Sequence, residues 1–234
     1  MADVLHPSWL PEKTFFNKPI PKAKFYEHLD VKPALKKVFV NQIEKIVWRN
    51  KLSPATLNVQ PGTRVQEIQV FEIALKSSPL DEAALKLIDK GIPYHILFLL
   101  QFDGLYMACM GFKDLADKSI SQYFKTDWMP LDELPLQTSG VTLDDVYDGY
   151  VKQINTRLNT DSTTSLKDAI HDNAERQKIE RKIASLEKQM RAEKQPRRKF
   201  ELAQTIQKLK KDLQESAEAK ATDRVDHSSS KVLS

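Results

Sequence analysis

Beyond residue 165 the apolar residues obey a single spacing rule. Ile179, Ile183, Leu186 and Met190 recur at four-three-four intervals, and Leu202, Ile206, Leu209 and Leu213 repeat the pattern. Such spacing lays each set along one stripe of a helix; a strand is excluded, because its successive side chains face opposite ways. Carrying the first stripe forward would place Glu193, Arg197 and Phe200 in the seam, and Pro196 falls in the break, so the phase is lost between the two sets. The pattern predicts an antiparallel helical hairpin over residues 166–216 that turns near Gln195 and Pro196, with one kinked dimeric helix as the alternative. Each seam holds only two heptads, too short for an isolated coiled coil. The segment must therefore pair with itself, with the rest of the chain or with another subunit, a homodimer being one such pairing, which makes Ile183, Leu186, Met190, Leu202, Ile206, Leu209 and Leu213 the candidate partner-contacting residues.

Charge follows the same division. Residues 165–216 carry 14 Lys and Arg against 9 Asp and Glu, residues 1–164 carry 19 against 20, and residues 217–234 are balanced at 3 against 3. The basicity belongs to the helical segment, so an acidic partner or nucleic acid is a question for that segment alone. Lys194, Arg197, Arg198, Lys199, Lys208, Lys210 and Lys211 are its candidate nucleic-acid contacts. Residues 159–165, almost wholly Asn, Thr, Asp and Ser, read as a linker, and residues 217–234 as a disordered tail.

Ahead of the linker the period changes. Residues 1–21 contain Pro7, Pro11, Pro19 and Pro21 and read as an extended arm whose Trp9, Phe15 and Phe16 serve either as docking points or to pack the arm on the parent domain. Residues 22–158 read as a globular α/β domain. Leu35, Val38 and Phe39 predict a short helix opening at Pro33. Residues 43–52 are rich in β-branched and aromatic residues and residues 64–75 alternate as a strand does; the second run is apolar on parts of both faces, which predicts a central strand. A helix follows, with Ser78 as cap, Pro79 at its first position and Lys90-Gly91 at its close. Two strands then flank Asp103-Gly104, the signature of a tight hairpin. A last strand is expected near residues 123–128, a surface loop over 130–136, and a helix capped by Thr142 that buries Val146, Tyr150, Val151 and Ile154. The fold class is α/β (α+β): a small mixed sheet with flanking helices, plus the C-terminal helical hairpin or coiled coil.

With 234 residues, 41% hydrophobic and 29% charged, the chain has room for one ordinary domain and an appendage. Its single cysteine, Cys109, excludes an intrachain disulfide framework and points to a reducing compartment, the cytoplasm. No apolar run approaches the roughly 18 residues of a membrane span, and residues 1–21 have no secretory pattern.

Several further runs carry a resemblance. The run RAEKQPRRKFEL at 191–202, IQKLKKDL at 206–213, LSPATLN at 52–58 and WMPLDEL at 128–134 together resemble a bacterial domain-of-unknown-function family, the one catalogued as forty-three ninety-one. The likeness spans about residues 15 to 215. It implies a small soluble protein often encoded beside helicase and DNA-methyltransferase genes, in restriction-like or phage-defence loci, and it assigns no catalytic residues.

That setting invites a search for a metal-dependent nuclease, whose site needs converging carboxylates and commonly a lysine. The nearest constellation is Glu44, Glu67, Gln69 and Lys51, with no aspartate between Val31 and Leu80 and Gln69 standing where a lysine would help. A polar strand face accounts for these residues better. The five histidines are dispersed and one cysteine cannot complete a zinc site. His95 and Cys109 read as core residues, no glycine-rich phosphate loop is present, and Trp48, Tyr94, Phe98, Tyr106, Tyr123, Phe124 and Trp128 read mainly as core filling. No cofactor or metal is expected. The sequence thus points first to a non-enzymatic accessory protein that docks on a helicase or methyltransferase subunit, with a divergent nuclease and a nucleic-acid-binding module as alternatives.

Overall fold

The computed structural model describes residues 7–27, 31–113, 120–155 and 166–229. The chain divides into two compact units, residues 1–156 and 157–234. The linker expected over 159–165 lies outside the described residues.

The first unit is built on a mixed six-stranded sheet whose strands stand in sequence order. A 3-10 turn, Glu12–Thr14, leads into β1 (Phe15–Pro19), then α1 (Lys24–Glu27), α2 (Pro33–Gln42), β2 (Ile43–Leu52), α3 (Pro54–Leu57), β3 (Ile68–Leu75), α4 (Glu82–Gly91), β4 (His95–Phe102), β5 (Leu105–Lys113), β6 (Ile120–Lys125) and α5 (Leu143–Ile154). Only β3 and β4 are parallel neighbours, because α4 carries the chain back across the sheet between them. The Asp103-Gly104 turn joins β4 to β5 with φ of 49° and 78°, the left-handed pair that such a hairpin requires.

Side-chain alternation gives the sheet two buried faces. Phe71, Ile73, Phe98, Leu100 and Cys109 pack with Phe39 of α2 and Leu85 and Ile88 of α4. The alternate residues Val70, Leu97, Leu99, Ala108 and Met110 are buried too. On their side lies α5, whose Tyr147 ring stands edge-on to His95 at 4.5 Å and whose hydroxyl donates to the Gly111 carbonyl. β3 and β4 are therefore central and covered on both faces, as the apolar residues on both faces of β3 predict.

The N-terminal arm packs on the parent domain: β1 pairs antiparallel with β2, and the Phe16 ring lies 4.3 Å from that of Trp48. Pro19 is tolerated because β1 is an edge strand. Three expectations are corrected. β3 starts at Ile68 rather than Arg64, since the backbone N–H groups of Thr63, Arg64 and Val65 are engaged by Asp144. The cap of α4 is Asp81, which accepts from the Ala83 N–H, and not Ser78. The loop over 130–136 is not superficial, for Leu131, Leu134 and Leu136 are buried.

The second unit is a helical hairpin. α6 (Leu166–Ala192) and α7 (Pro196–Ser229) pack along each other and are joined by three residues, a length that turns one helix back on the other. Glu193 caps the turn by accepting from the N–H groups of Lys194 and Gln195 at 2.8 and 2.9 Å. α7 runs beyond residue 216, where a disordered tail was expected, because Ala217, Ala219 and Ala221 favour helix and no Pro or Gly interrupts them. Among the described residues no helix is long and apolar enough to cross a membrane.

Candidate functional site

The antiparallel register of β2 and β3 sets Lys51 opposite Gln69 and Leu52 opposite Ile68. Glu67, one residue before β3, thereby meets both polar neighbours. The Lys51 ammonium lies 2.7 Å from its Oε2, and the Gln69 amide donates to its Oε1 at 2.9 Å. Glu67 is only 7% exposed, so this cation and amide compensate the burial of its charge. Glu44 is elsewhere. It follows Ile43, which pairs with Leu75 at the other end of the strands, so it lies roughly 25 Å from Lys51 along an extended chain rising about 3.3 Å per residue. The structure thus assembles Lys51, Glu67 and Gln69 and leaves out Glu44. Both oxygens of Glu67 are already engaged, one by the chain's own ammonium. Among the described residues no group of three or more His, Cys, Asp or Glu is placed to hold a metal ion.

A second carboxylate centre was invisible in the sequence. Asp144, in the first turn of α5, accepts from the backbone N–H of Thr63 at 2.9 Å, Arg64 at 3.1 Å and Val65 at 2.8 Å, and from the Thr63 hydroxyl at 2.8 Å. Burial opposes its ionisation, but the donors on Val65, Thr63 and Arg64 outweigh it and hold the carboxyl below its ordinary value. Gly62 permits this approach, because a Cβ there would stand 2.3 Å from Asp144 Oδ1 and 2.6 Å from the Val65 carbonyl oxygen. Arg64 turns to Asp148 at 2.7 Å. The loop before β3 is therefore pinned to α5 by a nest of N–H groups filled by the protein's own carboxylate.

Two further charged groups are internal. Asp89 of α4 accepts from the Tyr123 hydroxyl and pairs with Lys113 at 3.2 Å; burial raises its pKa despite Lys113. Arg49 pairs with Glu72 across β2 and β3. His95 is held to about 4, chiefly by burial and then by the charges of Lys113 and Arg64, so it sits neutral in the sheet. Cys109 is fully buried and its thiol is pushed far up, which makes it an inert core residue.

The hairpin presents the opposite chemistry. Of the seam residues, Ile183 is 9% and Ile206 6% exposed; Leu186, Met190, Leu202, Leu209 and Leu213 are half-buried. Phe200 is 64% exposed and borders an open groove of about 460 Å³ with Met190, Ala203 and Ile206. Lys194, Arg197, Arg198, Lys199, Lys208, Lys210 and Lys211 are all exposed. Lys210 pairs with Glu187 at 2.8 Å and Arg197 with Glu201 at 3.5 Å. The first turn of α7 holds Arg197, Arg198 and Lys199 and no acidic residue, placing cations at the positive end of the helix dipole, the sign that costs stability. The spacing in the sequence placed the seam between α6 and α7; the exposed Phe200, which falls outside both seams, was not among the expected contacts.

Taken together, these features define a mixed α+β domain that carries a basic helical hairpin. The profile of the family described as domain of unknown function (DUF4391) matches residues 9–213, and the chain belongs to that family. No curated protein and no solved structure matches it.

Proposed function

We propose that this protein is a non-enzymatic accessory subunit, an adaptor that docks through its basic hairpin on a larger DNA-processing enzyme, a helicase or methyltransferase, in a bacterial defence or restriction-like system. The observation that carries this reading is the hairpin surface. An aromatic side chain 64% exposed on a helix whose first turn is basic, bordering an open groove with Met190, Arg191 and Lys210, suits association. The sheet unit supports the non-enzymatic half, because Glu67 is neutralised by Lys51 and Gln69 and its proposed partner Glu44 is at the far end of the strand. The enzyme's identity and the DNA setting come from the neighbourhood that the family resemblance implies.

The test is co-purification of the tagged full chain from its native host, followed by reconstitution of any helicase or methyltransferase found with it from purified parts. A one-to-one complex that survives gel filtration is the expected result. The purified chain should leave supercoiled, linear and single-stranded DNA intact in magnesium and in manganese. Cleavage by the wild type that disappears in Glu67→Ala would replace the adaptor with a nuclease.

A further inference from the structure

We infer that the groove between α6 and α7 takes an acidic amphipathic helix from the partner protein, completing a three-helix bundle. The inference rests on the adaptor reading and names the chemistry of what is adapted. Phe200, Ala203 and Gln207 line the groove at intervals of three and four, one face of α7, and Met190 faces them from α6. A side wall with helical periodicity fits the ridge of another helix, and the small Ala203 beside the bulky Phe200 leaves room for an incoming knob.

Charge chooses among the occupants. Arg191 and Lys210 line the groove with one acidic residue, Glu187, which pairs with Lys210 at 2.8 Å, and the exposed Lys194, Arg198 and Lys199 follow in the turn and the first turn of α7. Residues 165–216 hold 14 basic against 9 acidic side chains, so two copies laid groove to groove would bring like charges together. A helix with Glu or Asp flanking its apolar stripe would instead meet Arg191 on the α6 side and Arg198 and Lys199 at the start of α7. The crowding of Arg197, Arg198 and Lys199 onto the positive end of α7 points the same way, since an anionic neighbour relieves what the helix dipole penalises. Nucleic acid satisfies the cations but not the apolar part: Phe200 and the half-buried Met190 offer area that a phosphate backbone leaves uncovered.

The experiment selects from a displayed library of 18-residue peptides (roughly five helical turns) on the immobilised full chain, then measures the enriched peptides by fluorescence anisotropy. The expected winners carry apolar residues at three-and-four spacing, a net negative charge, and helical circular dichroism when bound. Phe200→Asp should weaken them at least tenfold, and Arg198→Glu with Lys199→Glu several-fold, the latter loss shrinking in high salt. Phe200 is exposed, so its substitution leaves the fold intact, which the circular dichroism of the variant checks. Enrichment of no peptide, or of neutral or basic ones, overturns the inference. So does binding that Phe200→Asp changes less than twofold, a dimer in light scattering that Phe200→Asp dissolves, or a 30-base-pair duplex that displaces the winning peptide. Failure of the adaptor reading is separable: a partner that co-purifies equally with Phe200→Asp keeps the adaptor and removes the groove, whereas acidic helices that bind a chain with no DNA-processing partner do the reverse.

Discussion

The two units of this chain bury their apolar residues to very different depths. In the sheet unit β3 and β4 are covered on both faces, and even its charges, Asp89, Arg49 and Glu67, are internal and paired. In the hairpin only Ile183 and Ile206 among the described side chains are buried. The sheet unit therefore spends its chemistry on itself, and each candidate site there is closed by a partner from the same chain. The hairpin keeps its apolar and basic groups outward. Function is better sought where a fold leaves interactions unfinished than where it completes them, and here that contrast follows the division of the chain.

The contrast can be broken by experiment, because the units report separately. Trp9, Trp48 and Trp128 all lie in the sheet unit, whereas the long helices α6 and α7 dominate far-ultraviolet circular dichroism. Denaturant should produce an early loss of helical signal at constant tryptophan fluorescence, then a cooperative transition seen by both. The largest shift is expected from Phe98→Ala. Phe98 is fully buried between Phe71 and Tyr123, with ring centroids at 6.5 and 6.4 Å. Its truncation should cost about 3 to 5 kcal/mol, all in the second transition. A matching shift of the early phase would mean that the units unfold as one.

Acid should act next, and on the sheet unit. His95 is held at about 4, below its usual 6.5, by burial first and then by Lys113 and Arg64. The unfolded chain therefore takes up the proton before the folded one does. The stability that neutral His95 contributes is full above pH 6.5 and drains away as pH falls toward 4, a loss of roughly 3 kcal/mol from this group alone. His95→Gln should flatten the tryptophan-detected stability profile between pH 7 and pH 4. A profile equally steep in the variant would assign the loss to other groups; Asp144, whose pKa is lowered, acts below this window, as its contribution disappears only when pH falls through its folded value.

What the sequence revealed of all this depended on range. The Asp103-Gly104 turn, the Thr142 cap and the four-three-four seams are written in residues a few positions apart, and each was legible. The nest around Asp144 joins residues some 80 positions apart and has no local signature. The β2/β3 register lay between these cases. Lys51, Glu67 and Gln69 could be grouped from strand alternation, but Glu44 could not be excluded, because the offset that sends it to the Leu75 end depends on where residues 53–67 stop being strand. Asp81 and Ser78 are both residue types that cap, and the sequence alone did not choose between them; the helix starts at Glu82, so it is Asp81 that accepts from the Ala83 N–H.

The hairpin permits a finer comparison within one helix. Ile206→Ala removes a side chain that is 6% exposed and should cost about 1 to 2 kcal/mol, less than a sheet core residue because a two-helix seam can collapse around the gap. The shift should appear in the early, fluorescence-silent phase. Phe200 lies six residues earlier on α7 and borders the same groove, yet it is 64% exposed. Little of its ring leaves water on folding, so Phe200→Ser should change the early phase by no more than about 0.5 kcal/mol. Both side chains border the groove, but only Ile206→Ala removes surface that folding had buried. Equal losses from both would show that Phe200 packs inside the isolated chain, and the outward face that separates the hairpin from the sheet unit would then have to be sought on other residues. A loss confined to Ile206→Ala leaves Phe200 as apolar area with no structural duty, available to whatever fills the groove.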